Sequence, residues 1–228
     1  MANWSEQLYS FYKHLQPPGN LPGSIEWLYP QQDEKVMLIV QQFFQKFYND
    51  SGPRTLILGI NPGRFGAGVT GVNFTASKQL QENCGITSNL KWQSELSADF
   101  IYDMIQQYGG VVSFYKNFFI GSVCPLGFIK NGKNINYYDD KELVITVEPF
   151  IIKSIEHLLQ LGFKKDRCFC IGGEKNFRYL STLNDQYSWF KKIIPLPHPR
   201  FIMQYRRKQL QTYISQYLQE FGQIKNSG

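Results

Sequence analysis

Thr55-Leu56-Ile57-Leu58-Gly59-Ile60-Asn61-Pro62-Gly63-Arg64-Phe65-Gly66 sets an apolar run directly against a loop. Thr55 to Leu58 are four apolar or β-branched residues in succession, the pattern of a strand buried on both faces in a parallel sheet. Gly59, Asn61, Pro62, Gly63 and Gly66 then end the run with loop chemistry. Ligands of open α/β sheets bind beyond the carboxyl ends of the strands. Asn61, flanked by glycines that let a ligand approach the backbone, is therefore a site candidate. A tight turn whose Asn satisfies its own backbone is the alternative. Glycines at 59, 63 and 66 make no G-x-G-x-x-G, and no G-x-x-x-x-G-K-[ST] occurs, so a standard nucleotide cofactor is not expected.

On either side of this stretch the chain alternates between helical and extended patterns. Apolar residues at helical spacing predict helices over 4–15, 35–48, about 95–108, 141–162, about 174–183 and 203–221. Extended apolar runs over 111–124, 167–171 and 191–196 predict three more strands. Asn131-Gly132-Lys133-Asn134 predicts an exposed turn or loop. Helices alternating with buried strands imply an α/β fold, a parallel sheet flanked by helices with right-handed crossovers. No internal repeat or domain boundary is evident, so residues 1–228 read as a single domain.

Bulk properties narrow the class. A net charge of +6 and a pI near 9.0 suit a polyanionic partner such as DNA, although many basic proteins lack one. The cysteines at 84, 124, 168 and 170 include no C-x-x-C pair, so neither a zinc ribbon nor an iron–sulfur spacing is present. Cys168 and Cys170 alternate with Phe169 as small core residues of a strand do. The N-terminal residues lack the pattern of a secretory signal, and no apolar stretch approaches membrane-spanning length. A cytoplasmic monomer with no membrane partner is expected.

The strands ending at Asn61, Ser122, Gly172 and His198 deliver their carboxyl ends to one sheet edge. A parallel sheet can bring Asn61 and His198 together across that edge. His14 and His157 lie in helical patterns and read as surface residues, whereas His198 sits between Pro197 and Pro199, which stiffen it. Beyond it, Arg200, Phe201, Tyr205, Arg206, Arg207 and Lys208 interleave cations with aromatics. Such a mixture can hold phosphates and wedge into stacked bases. A solvated first turn of the last helix is the plainer alternative.

Three segments together resemble a known family. Gly59–Gly66 with Thr70-Gly71-Val72-Asn73-Phe74 is similar to the first motif of the single-strand-selective monofunctional uracil-DNA glycosylases. Val123-Cys124-Pro125-Leu126-Gly127-Phe128, then Gly132-Lys133-Asn134, resembles the middle motif and its DNA-contacting loop. His198-Pro199 with the basic segment after it resembles the second motif. The order and spacing match over roughly 54–215, as in a divergent bacterial branch.

The resemblance implies the three-layer uracil-DNA-glycosylase fold, with a short, mostly parallel four-stranded sheet between helices. It also implies base excision from DNA without cofactor or metal, near the bacterial nucleoid. By resemblance, Phe74 stacks on a flipped base, and backbone near Ile60, Gly63 and Phe65 shapes the pocket. Asn61 positions water and His198 stabilises the departing base. Lys133, Asn134 and the cationic and aromatic residues after Pro199 contact DNA. No lysine matches a catalytic position, so a hydrolytic, monofunctional reaction is implied.

Two departures stand out. Ser122 occupies the place of an Asn that reads the pyrimidine edge, so a broader base preference, including xanthine, is expected. Arg200-Phe201-Ile202-Met203 replaces the family's Ser-Pro-Arg-Asn, which changes the wedge and leaves the strand preference open. The competing reading is a non-catalytic DNA-binding module of the same fold. A small-molecule α/β hydrolase lacks support, since neither a G-x-S-x-G elbow nor a Cys-His signature is present.

Overall fold

The computed structural model describes residues 3–222 of the chain. Helix α1 (Trp4–Lys13), strand β1 (Ile25–Leu28) and helix α2 (Glu34–Phe47) lead into β2 (Thr55–Gly59). Four helices follow: α3 (Ala67–Thr70), α4 (Ser77–Glu82), α5 (Leu96–Tyr108) and α6 (Gly110–Asn117). Strands β3 (Phe118–Ser122), β4 (Gly127–Lys130) and β5 (Lys133–Ile135) precede the long helix α7 (Lys141–Gln160). The chain then alternates through β6 (Cys168–Ile171), α8 (Gly173–Tyr187), β7 (Ile193–Leu196), α9 (Pro199–Tyr205) and α10 (Leu210–Glu220).

Strands β3, β2, β6 and β7 form a parallel sheet in that order, with every residue of β2 buried. The register pairs Gly59 with Ser122, Leu58 with Cys170 and Ile171 with Leu196. All four carboxyl ends therefore lie along one edge, as the alternating sequence pattern implied.

Phe118 and Phe119 show why helices cover both faces, because adjacent strand residues point to opposite sides. Phe119 meets Phe44, Tyr48 and Phe163, whereas Phe118 meets Tyr108, Phe114 and Phe221. One layer is thus built on α1 and α2, and the other on α5, α6 and α10. Local signals fix the helices. Asn3 caps α1 by accepting the Glu6 N–H, and Asp33 caps α2 through the Lys35 N–H, each worth ~1 kcal/mol. Buried Arg54 donates to the carbonyls of Tyr115 and Phe47 and pairs with Asp50 at 2.7 Å, anchoring the start of β2.

Two sequence expectations need correction. Residues 110–117 form helix α6 rather than strand, and only 118–122 extend. Val111, Phe114, Tyr115 and Phe118 recur at helical spacing, and that period overrides their β-forming preference. The predicted helix over 203–221 is two helices, parted at Arg206 and a 3₁₀ turn over Arg207–Gln209.

The exposed turn or loop expected at 131–134 is a hairpin turn, exposed throughout. Asn131 and Gly132 alone have positive φ, 51° and 69°, as a tight two-residue turn requires. Lys133 and Asn134 already belong to β5. This hairpin joins β1 in a second, antiparallel sheet of order β1-β4-β5, which the sequence reading did not contain.

Candidate active site

A cavity of about 450 Å³ opens at the carboxyl edge of the parallel sheet. Ile60, Asn61, Gly63, Phe65, Phe74, Ser122, Asn134, His198, Arg200, Phe201 and Tyr205 all line it. Of the sequence candidates, Lys133, Arg206, Arg207 and Lys208 lie outside the lining, exposed on its flanks. Asn73, Glu95, Asn136, Tyr138 and Gln204 line the cavity and were not singled out from sequence. Asn73 stood inside the first motif and carried a usable signal, being polar beside Phe74. Asn136 and Tyr138 follow β5 of the second sheet, Gln204 lies at the end of α9, and Glu95 caps α5 by accepting the Ala98 N–H.

The loop after β2 is held in place by the hairpin. Asn61 behaves like a strand residue: its Oδ1 accepts the Tyr137 N–H at 3.1 Å, and its Nδ2 donates to the Ile135 carbonyl at 3.3 Å. Nδ2 also donates to the Pro62 carbonyl at 3.3 Å. Flanking backbone groups of opposite polarity thus fix which end of the carboxamide is oxygen. The Arg64 N–H donates to Asn134 Oδ1 at 3.3 Å, and the Arg64 guanidinium bonds the Gly132 carbonyl while covering the Phe65 ring. Gly127 makes this docking possible, since a Cβ there would stand 2.3 Å from the Pro62 carbonyl oxygen.

Phe74 adopts φ 51°, a left-handed conformation that costs a side-chain-bearing residue about 1–3 kcal/mol. Its ring lies on Gly59, where a Cβ would come within 2.8 Å, so the strand end is bare where the aromatic packs. The His198 ring stands 6.2 Å from that of Phe74, centroid to centroid, tilted by 49°. His198 Nδ1 accepts the Arg200 N–H at 3.1 Å. Burial, then the Arg200 charge, pushes the imidazole pKa down to about 4, so the ring is neutral at pH 7. With Nδ1 accepting, the proton of the neutral ring belongs to Nε2.

Behind the wall, Ser122 Oγ donates to Asn73 Oδ1 at 2.8 Å, and Asn73 Nδ2 donates to the Tyr12 hydroxyl at 3.2 Å. The Tyr138 hydroxyl is pushed up to about 12 by burial first and the Asp139 charge second, and stays protonated. The four cysteines are buried free thiols. Cys124 and Cys170 are each pushed up to about 12 by burial, which removes them as nucleophiles. Among the described residues no three His, Cys, Asp or Glu side chains are grouped to hold a metal, and no helix is long and apolar enough to cross a membrane.

A short parallel sheet between helices thus carries, at its carboxyl edge, a cavity lined by an aromatic ring, a carboxamide and a neutral imidazole. The chain belongs to the Uracil DNA glycosylase superfamily, whose model matches residues 45–222. It is similar to the solved structure of wild-type SMUG2 from Pedobacter heparinus, with 46% identity, a TM-score of 0.95 and 100% of both chains covered. No curated protein matches the chain.

Proposed function

We propose that this chain is a monofunctional DNA glycosylase acting as a cytoplasmic monomer. It flips a deaminated base into the cavity and hydrolyses the N-glycosidic bond to leave an abasic site. The observation that carries this reading is the placement of Asn61 and His198 on one cavity, with Phe74 between glycine-bared backbone and the imidazole.

Each role follows from geometry and charge. Phe74 offers an aromatic face on which any base can stack. Backbone at Ile60, Gly63 and Phe65 borders the base. Asn61 Oδ1 has a second lone pair free of the Tyr137 N–H, and this can hold a water aimed at the sugar C1′. As the glycosidic bond breaks, its electrons move onto the base, and negative charge builds on the base carbonyl. His198 Nε2–H is a preorganised donor for that oxygen, and such a donor contributes ~3–4 kcal/mol to the transition state. A neutral imidazole keeps its proton throughout, so the base leaves as a stabilised anion. The water delivers OH to C1′ and its proton neutralises the base. Among the described residues no lysine lines the cavity, which favours hydrolysis over a Schiff base.

Ser122 is shorter than an Asn and leaves room at the base edge, which favours uracil together with deaminated purines such as xanthine. Phe201 and Tyr205, both exposed, supply a wedge, with Arg206 stacked 5.5 Å from the Phe201 ring centre. Lys133, Asn134, Arg200, Arg207 and Lys208 add contacts to the DNA backbone.

The test is a panel of oligonucleotides, each bearing one uracil, hypoxanthine or xanthine, single- and double-stranded. The wild-type protein is expected to release uracil and xanthine, with Ser122→Asn narrowing the range toward uracil. Asn61→Ala and His198→Ala should lose release while remaining folded. Salt-dependent DNA binding with no base released from any oligonucleotide overturns the proposal in favour of a non-catalytic binding module.

A further inference from the structure

Ser122, Asn73 and Tyr12 form a hydrogen-bonded chain from the cavity wall into the core. Tyr12 lies on α1, ahead of the residue where the family match begins. Its hydroxyl is buried and receives the Asn73 Nδ2–H at 3.2 Å. Asn73 is 8% exposed, and its Oδ1 receives the Ser122 Oγ–H at 2.8 Å. A serine hydroxyl has one proton and two lone pairs. With the proton committed to Asn73, only lone pairs remain for the cavity.

We propose that Tyr12 and Asn73 set the polarity of Ser122, making it a dedicated acceptor that selects bases carrying a ring N–H at the facing position. This rests on the function proposed above and specifies how its pocket reads the base. Uracil, hypoxanthine and xanthine all present such an N–H. Cytosine and adenine present a nitrogen lone pair there, which an acceptor-only hydroxyl repels. Deamination of cytosine to uracil and of adenine to hypoxanthine converts the second kind of edge into the first, whereas guanine already carries the N–H that xanthine keeps. One oriented hydroxyl therefore separates uracil and hypoxanthine from their parents without the two-point contact of an amide, and it does not separate xanthine from guanine. It does not distinguish a pyrimidine from a purine.

Asn73 contacts both partners through opposite ends of one carboxamide, so its orientation decides the outcome. Tyr12 is a positioning residue: by accepting from Nδ2 it turns Oδ1 toward Ser122. Stacking of its ring with Phe44 at 5.9 Å ties that choice to the α1–α2 packing.

The test measures binding apart from chemistry. Oligonucleotides carry 2′-fluoroarabino-uridine or 2′-fluoroarabino-cytidine, whose fluorine suppresses base release, and the Kd ratio between the two is the readout. The wild-type protein is expected to favour uracil. Asn73→Ala frees the Ser122 proton, and Tyr12→Phe frees the Asn73 amide; each should narrow the ratio by on the order of tenfold. Asn73→Asp presents oxygen to both neighbours, keeps the Ser122 proton in place and should retain the ratio.

Thermal melting reports whether each variant is folded. A wild-type protein without preference overturns the proposal, and so does a ratio that Asn73→Asp loses. A ratio unchanged in Tyr12→Phe overturns the role of Tyr12, even where that variant weakens both complexes equally. If the wild-type protein excises no natural lesion, the proposed function itself fails. If it excises uracil and Asn73→Ala keeps the ratio, only the proposed hydrogen-bonded chain fails.

Discussion

Tyr137 and Asn61 are joined as neighbouring strands are, the Tyr137 N–H donating to Asn61 Oδ1 at 3.1 Å across 76 positions of sequence. The bond fixes the orientation of the carboxamide and pins the segment after β5 to the loop after β2. Asn61→Ala is expected to lower base excision by ~10²-fold through loss of water placement. It should also lower stability by about 1–3 kcal/mol, because the Tyr137 N–H is left without its partner.

Asn61→Asp separates these effects. Its second oxygen would face the carbonyls of Pro62 and Ile135, which now receive an N–H at 3.3 Å. The carboxyl pKa is raised there, so the folded state holds a proton that the unfolded chain gives up near pH 4. The variant should be less stable than wild type at pH 7, with the gap closing as pH falls toward about 4. Denaturant titrations at several pH values check this.

His198 gives the opposite sign. Its pKa falls from 6.5 to about 4 on folding, so the folded state binds fewer protons between those values. Its contribution to stability is complete above pH 6.5 and is lost as pH drops to about 4. Excision should not gain from a lower pH, because the neutral ring already supplies the Nε2–H donor. His198→Ala should reduce kcat by about 10²–10³-fold, and its pH–rate profile should lack any limb near pH 4 that the wild type shows.

The strand at 55–59 was legible because it is buried on both faces and ends in glycines, and Asn61 and His198 followed from it. What the sequence hid was contributed by long-range pairing. β1 and β5 have four and three residues, too few for a period to show, and they exist because they pair with β4. Asn136, Tyr138 and the clamp on Asn61 come with that sheet. The break at Arg206 likewise has no glycine or proline to mark it. The N-terminal segment carried a plain amphipathic pattern that gave no hint of Tyr12 reaching Asn73.

Asn176 offers a stability test at the sheet edge itself. Fully buried, it accepts the Tyr137 hydroxyl at 2.7 Å and donates to the carbonyls of Ile171 at 3.2 Å and Gly59 at 3.4 Å. It thus ties the ends of β2 and β6 to the residue that clamps Asn61. Asn176→Ala should cost about 2–4 kcal/mol by leaving several buried groups unpaired. Tyr137→Phe, which keeps the ring, should cost nearer 1 kcal/mol. Equal losses for the two variants would contradict a network centred on Asn176.

Phe201, 43% exposed at the cavity mouth, is the ring proposed above as the wedge. A wedge acts by replacing a base in the stack, which matters only where a stack is broken. Phe201→Ala should therefore slow excision from duplex DNA by roughly tenfold or more, given an unstacking cost of a few kcal/mol. Excision from a single strand should change far less. Equal slowing on both substrates would assign Phe201 to the base pocket instead.

Arg206, Arg207 and Lys208 fall at the break between α9 and α10, exposed and outside the cavity lining. A position beside the mouth suits phosphate contact, and phosphate contact has a thermodynamic signature that base recognition lacks. Each cation that releases a counterion adds about 0.7 to 0.9 to the slope of log K against log salt. Arg207→Gln and Lys208→Gln should each reduce that slope by close to one unit and weaken binding about equally for every base in the panel. The single-turnover rate at saturating protein should stay near wild type, because neither side chain reaches the reacting base. A changed base preference with an unchanged salt slope would place these cations in recognition rather than in electrostatic attachment.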